Sequence, residues 1–126
     1  MKHPVLALLP FVASLFLAGC APTAGDDCEG GGYICDSEAQ ALECRQGQWR
    51  ALPCKGALGC SEVNKTIRCD VSGNAAGDAC AASAEGRAQC SVDRKALLEC
   101  RMGILVETMT CQSCAVTSAS EVTCTP

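Results

Sequence analysis

A chain of 126 residues has room for one ordinary domain or two very small ones, and thirteen of its residues are cysteine. That density excludes an ordinary cytosolic protein and points to a disulfide scaffold in an oxidising compartment. Ten Lys and Arg stand against fourteen Asp and Glu, an acidic balance that excludes nucleic acid as a partner and does not suit anionic lipid headgroups.

In chain order, the first element is a segment to be removed. Lys2 and His3 form a short basic start, Val5 to Leu17 is apolar, and small residues Ala18 and Gly19 precede Cys20. The run is too short for a spanning helix and has the length of a signal-peptide core, so residues 1–19 are expected to be cleaved. His3, the only histidine, leaves with them, as do both phenylalanines, Phe11 and Phe16. Loss of Lys2 leaves nine basic against fourteen acidic residues, a net charge of −5. Leu17-Ala18-Gly19-Cys20 resembles the lipobox of bacterial lipoproteins at all four positions. The resemblance implies that Cys20 is acylated through a thioether and becomes the mature N-terminus of a tether over 20–27. Ala21, rather than Asp, implies sorting to the outer membrane. Setting Cys20 aside leaves twelve cysteines, an even number suited to complete pairing. Several acyl chains on one residue suffice for stable anchoring without a spanning segment.

The rest of the chain says nearly the same thing twice. Cys28, Cys35, Cys44, Cys54, Cys60 and Cys69 match Cys80, Cys90, Cys100, Cys111, Cys114 and Cys124, at offsets of 52, 55, 56, 57, 54 and 55 residues. Length changes therefore fall between the cysteines, the mark of a tandem duplication. Module 1 covers 28–71 and module 2 covers 78–126, joined by a small, flexible linker over 72–77. Modules of about 45 residues seldom fold without covalent help. Three disulfides each would provide it, at roughly 2–4 kcal/mol apiece. No metal or cofactor is expected, because the exported chain has no histidine and spaces its cysteines too widely for zinc knuckles.

Within each module the fold class reads as small, disulfide-rich and all-β, built of short hairpins. In "LECRQGQWRA", Leu42 and Cys44 alternate with Glu43 and Arg45 around Gln46-Gly47, a two-residue hairpin turn. That count sets Cys44 opposite Trp49 and Glu43 opposite Arg50, the latter pair across a wet face. Around Met102-Gly103 the same count sets Cys100 opposite Leu105 and Glu99 opposite Val106. A second hairpin centres on Asn64-Lys65 and puts Cys60 opposite Cys69. Its counterpart centres on Ala119, with a three-residue loop, and puts Cys114 opposite Cys124. Cysteines facing each other in a non-hydrogen-bonded pair approach closely, so Cys60–Cys69 and Cys114–Cys124 are the expected bridges. The other four cysteines of each module allow three pairings, and the sequence does not choose among them.

Several motifs have plain readings. Cys111-Gln-Ser-Cys114 has redox-motif spacing, but its counterpart Cys54 to Cys60 is longer and no βαβ pattern surrounds it. Asn64-Lys65-Thr66 fits a glycosylation sequon and is explained by the turn. Gly30-Gly31-Gly32 lacks what a phosphate loop needs and reads as a flexible loop. Asp26, Asp27 and Glu29 read as turn-forming carboxylates rather than a calcium site.

Trp49 and Tyr33 are the candidate ligand contacts. Cys44, Gly47, Trp49, Cys54 and Cys60 follow the order found in small chitin-binding modules, and module 1 resembles the family 19 carbohydrate-binding type over about a third of the chain. That resemblance implies glycan stacking on Trp49, and the wider group of small chitin-binding folds implies a rival bridge pattern, Cys54–Cys60 and Cys111–Cys114. Module 2 departs from it, with Leu105 in place of Trp49. A sugar platform needs an aromatic face, so Leu at the aligned position points instead to core. The whole tandem pattern resembles the cysteine-rich lipoproteins of myxobacteria.

These readings lead to an outer-membrane lipoprotein, periplasmic or surface-exposed, with a structural or adhesive role toward an envelope protein. The alternative is carbohydrate binding, to chitin or peptidoglycan, and a third reading is a protease-inhibitor-like scaffold. Catalysis is not expected: there is no histidine to activate a Ser or Cys, and modules this small seldom build a cleft.

Overall fold

The structure, a computed structural model, describes residues 20–118 and 121–126. The signal segment expected over 1–19 and residues 119 and 120 lie outside the described residues. Module 1 begins with a three-stranded antiparallel sheet in the order β1-β2-β3, formed by β1 (Gly32–Ser37), β2 (Gln40–Arg45) and β3 (Gln48–Pro53). A separate hairpin follows, β4 (Cys60–Val63) with β5 (Thr66–Cys69). Module 2 repeats the plan with β6 (Ala88–Cys90), β7 (Ala96–Arg101) and β8 (Ile104–Thr110), then β9 (Ser113–Ser118) and β10 (Glu121–Thr125). A single 3-10 turn over Ala82–Ala84 is the one helical element among the described residues. The protein is small, all-β and disulfide-rich, as its composition implies.

The hairpin registers agree with the sequence count. Cys44 faces Trp49 and Glu43 faces Arg50; Cys100 faces Leu105 and Glu99 faces Val106. Both turns reach positive φ at two successive residues, 53° and 79° at Gln46-Gly47 and 52° and 79° at Met102-Gly103. This is the twist a two-residue hairpin needs, and Gly supplies half of it without strain. At the other end of module 1, Cys60 faces Cys69 around Asn64-Lys65. In module 2 Cys114 faces Cys124, and a bulge sets Ser118 opposite Glu121; the loop expected around Ala119 lies outside the described residues.

Three features differ from the sequence reading. The outer strands β1 and β6 were not legible. Gly30-Gly31-Gly32, expected as a flexible loop, is a run of positive φ that leads straight into β1. The tether ends earlier than residue 27. Gly25 N–H donates to the Trp49 carbonyl, Trp49 N–H to Asp26, and Cys28 N–H to Gly47, all within 2.8–2.9 Å. Gly77, Leu105, Asp78, Cys80 and Gly103 repeat this hook, so each module starts by pairing with the edge of its own sheet. The linker over 72–77 is not a loose connector. Asn74 is 1 % exposed, donates to the Pro53 carbonyl at 2.8 Å and accepts from Lys55 N–H at 3.0 Å. Gly73 runs so close to the Lys55 carbonyl that a Cβ there would collide with it.

The disulfides overturn the expected bridges. Both modules connect first to third, second to fifth and fourth to sixth: Cys28–Cys44, Cys35–Cys60 and Cys54–Cys69, then Cys80–Cys100, Cys90–Cys114 and Cys111–Cys124. Cys60–Cys69 and Cys114–Cys124 do not form, nor do Cys54–Cys60 and Cys111–Cys114. The register was right and the inference from it wrong, for a physical reason. Cys60 and Cys69 lie on one face of their hairpin, and that face packs on Ala41, Leu52 and Cys54 of the sheet. Each therefore meets a cysteine of the sheet. A two-stranded hairpin of four-residue strands is marginal alone. Tying it to the sheet twice, across separations of 25 and 15 residues, restricts the unfolded chain more than a bond across the hairpin would.

Each sheet consequently has two different faces. One carries the first-to-third disulfide; in module 2 it buries Leu98 and Leu105 against Cys80 and Cys100. The other carries the second hairpin at one end. In module 1 its free end is where module 2 docks.

Candidate functional site

Glu43 was expected on a wet face, paired with Arg50. It is instead 3 % exposed. Tyr33 and Arg50 flank it from neighbouring strands, and module 2 closes over the top. Glu43 Oε2 accepts the Tyr33 hydroxyl at 2.8 Å and the Ala82 N–H at 3.0 Å. Tyr33 also hydrogen-bonds Ser83 at 3.3 Å. Glu43 Oε1 has no hydrogen bond; its nearest support is the Arg45 guanidinium at 3.5 Å. Arg45 itself reaches across to the Gly103 turn, where it fills the space a side chain would need. Arg50 turns outward to Gln46.

Ala82–Ala84, which cover Glu43, are the residues module 2 has in excess. Cys28 to Cys35 spans seven residues and Cys80 to Cys90 spans ten, and the additional turn is the one that docks on module 1. The jump in cysteine offset from 52 to 55 was the available signal. Its meaning needed the fold.

Elsewhere the junction is held by Lys55 Nζ on Asp78 Oδ1 at 2.8 Å and by Ala79 and Ala81 packed on the module 1 cluster of Ala41, Leu52 and Cys54. The Ala75 N–H first, and then Lys55, hold the Asp78 carboxyl below the usual carboxylate range. Burial at the junction pushes the Tyr33 phenol up, helped by Glu43 and opposed by the Ser83 hydrogen bond. Beside the contact runs a groove of about 420 Å³, lined by Leu52, Ile67, Val71, Ala79, Ala84 and Arg87 among others.

The sequence-predicted contacts do not come together. Tyr33 lies opposite Glu43 and Trp49 opposite Cys44, so they occupy different faces of one sheet. No single ligand surface uses both rings. Trp49 is half-buried, neither full core nor open platform, while its counterpart Leu105 is 3 % exposed and belongs to the core of module 2. Asp26, in the acidic run, caps its own turn by accepting the Thr23 N–H at 2.9 Å.

All twelve module cysteines are bridged, and among the described residues Cys20 alone is free; it is exposed at the start of the tether. No described helix is long and apolar enough to cross a membrane. Comparison with known proteins found no family, no curated protein and no solved structure that matches this chain.

Proposed function

We propose that the chain is a lipid-anchored, non-catalytic protein of the cell envelope, held at the outer membrane through Cys20, whose two joined modules serve as an adhesive or structural unit. The observation that carries the reading is the division of the cysteines. Twelve are consumed in six bridges, and the thirteenth stands exposed and unpaired directly after Leu17-Ala18-Gly19. An odd free thiol has no structural use in an oxidising compartment, whereas an acylated one does. Thr23 is already engaged by Asp26, so only residues 20–22 are left as a leash, about 10 Å at full stretch. Such a short leash would hold module 1 close to the bilayer.

The absence of catalysis in this reading rests on chemistry. After His3 the chain has no histidine, and its module thiols are tied up in disulfides. Metabolic labelling with a palmitate analogue tests the anchor. The full chain should take up label and sediment with membranes, and Cys20→Ala should lose both properties. Label that persists in Cys20→Ala refutes the anchor.

A further inference from the structure

The free end of the Glu43 face has a counterpart in module 2, which the described residues leave partly open to solvent. Position by position, Gln48 of module 1 corresponds to Ile104, Arg50 to Val106, Leu52 to Met109 and Ala41 to Leu97, while Glu43 and Arg45 recur as Glu99 and Arg101. The face of module 1 is thus the more polar of the two: its Gln48 and Arg50 stand in water while Ala41, Glu43 and Leu52 are buried. The face that module 2 leaves open carries Ile104 and Met109 at 41 % and 47 % exposure, beside half-buried Leu97 and Val106. In the middle, Arg101 donates to both carboxylate oxygens of Glu99 at 3.2 Å, with Glu99 and Arg101 side chains 28 % and 57 % exposed. An antiparallel sheet tolerates one wet face when that face is polar. Apolar Ile104 and Val106, left partly in water where module 1 places Gln48 and Arg50, mark an interaction surface.

We infer that this face of module 2, Leu97, Ile104, Val106 and Met109 around the Glu99–Arg101 pair, joins two copies of this chain about a twofold axis. Two observations select a second copy as the occupant. The homologous face of module 1 is already an interface, and what it binds is another module of this same chain. The face is also self-complementary in charge. With an acid and a base side by side, a twofold mate sets Arg101 of each copy against Glu99 of the other, and the apolar residues meet their own kind. Head-to-tail stacking fits less well, because module 1 lacks the Ala82–Ala84 turn that makes the internal contact and presents Asp27 and Glu29 in its place.

The inference does not depend on the anchor, so it is tested without it. The full chain is exported carrying Cys20→Ser, which also removes the only free thiol, and its mass is followed by sedimentation over a range of concentrations. The expected result is a reversible dimer. Ile104→Gln with Val106→Arg restores the residue types that module 1 carries on the same sheet, so the fold is kept, and should give a monomer. Glu99→Arg alone and Arg101→Glu alone should each be monomeric, and mixing them should yield a one-to-one dimer, because only the mixed pair matches charges across the axis. A wild-type chain that stays monomeric throughout, or a dimer that the Ile104→Gln, Val106→Arg protein retains, overturns the inference. A photoreactive residue at Met109 in intact cells should link two copies; a link to a different protein overturns it as well.

Discussion

Glu43 and Glu99 occupy the same position in the same kind of strand, each two residues before an arginine that leads into a hairpin turn, yet one is sealed and the other is half open to water. Glu43 binds the Tyr33 hydroxyl and the Ala82 amide; among the described residues Glu99 binds only Arg101. The local sequence does not cause the difference. The three additional residues of module 2 cause it, because they cover Glu43 and have no counterpart over Glu99 among the described residues. Two sheets of the same plan thus carry equivalent acids, and the Ala82–Ala84 turn of one module seats on the acid of the other. The positions opposite the hairpin cysteines differ as well: Leu105 is core, while Trp49 is half-buried.

The largest effect should separate those two positions. Leu105 is 3 % exposed among Cys80, Leu98 and Cys100. Its truncation to Ala should cost about 2–5 kcal/mol, as for a fully buried leucine. Trp49→Ala should cost clearly less than the 3–5 kcal/mol of a buried aromatic, since part of its ring is already in water. Denaturant unfolding of the oxidised proteins measures both. Equal losses would mean that Trp49 is core in solution, and a Trp49→Ala loss near zero would restore the platform reading.

Next in size is the acid itself. Glu43→Ala leaves the Tyr33 hydroxyl and the Ala82 N–H without their acceptor in a closed junction. An unsatisfied buried group costs about 1–3 kcal/mol. Glu99→Ala removes an exposed ion pair, for which about 0.2–1 kcal/mol is usual. If the modules act as one body, Glu43→Ala should also loosen the contact, seen as faster amide exchange at Ala82 while β2 and β3 stay protected. An unchanged exchange rate at Ala82 would mean that the apolar contacts alone hold the modules together.

How far the sequence could be read follows from the same contrast. Hairpin registers depend on a period of two and a turn residue with positive φ, both local, so Cys44 opposite Trp49 and Cys60 opposite Cys69 were legible. The disulfide partners were not. Cys60 and Cys69 bond to Cys35 and Cys54 because their hairpin leans on the sheet, a long-range fact that no spacing encodes. Glu43 was misread for a related reason. Alternation tells which face a side chain takes, but not whether another module covers that face. Asn74 looked like linker because its role, holding Pro53 and Lys55, exists only once both ends are in place.

The smallest expected effect is a pH dependence confined to the junction. Asp78 and Asp26 sit at equivalent places and cap equivalent turns, Ala75 N–H on one and Thr23 N–H on the other. Asp78 adds the Lys55 ammonium of module 1 at 2.8 Å. The folded carboxyl of Asp78 is held below its ordinary value, chiefly by the Ala75 N–H and then by Lys55. Its contribution is therefore complete above the unfolded carboxylate pKa and fades as pH falls through the lower folded value. Both side chains are partly exposed and the pair is screened by salt, so about 0.2–1 kcal/mol is at stake. Asp78→Asn should lower stability near neutral pH and flatten the acid limb of the stability curve. Asp70 titrates in the same direction, held down first by the Ser72 hydroxyl and then by backbone N–H groups, but it lies within module 1. Lys55→Met distinguishes the two. It should remove the salt-sensitive share of the acid loss and leave the Asp70 share intact, because Lys55 is the only part of this arrangement that crosses from one module to the other. An acid limb insensitive to both salt and Lys55→Met would place the pH dependence inside the modules and leave the junction to Glu43 and the alanines.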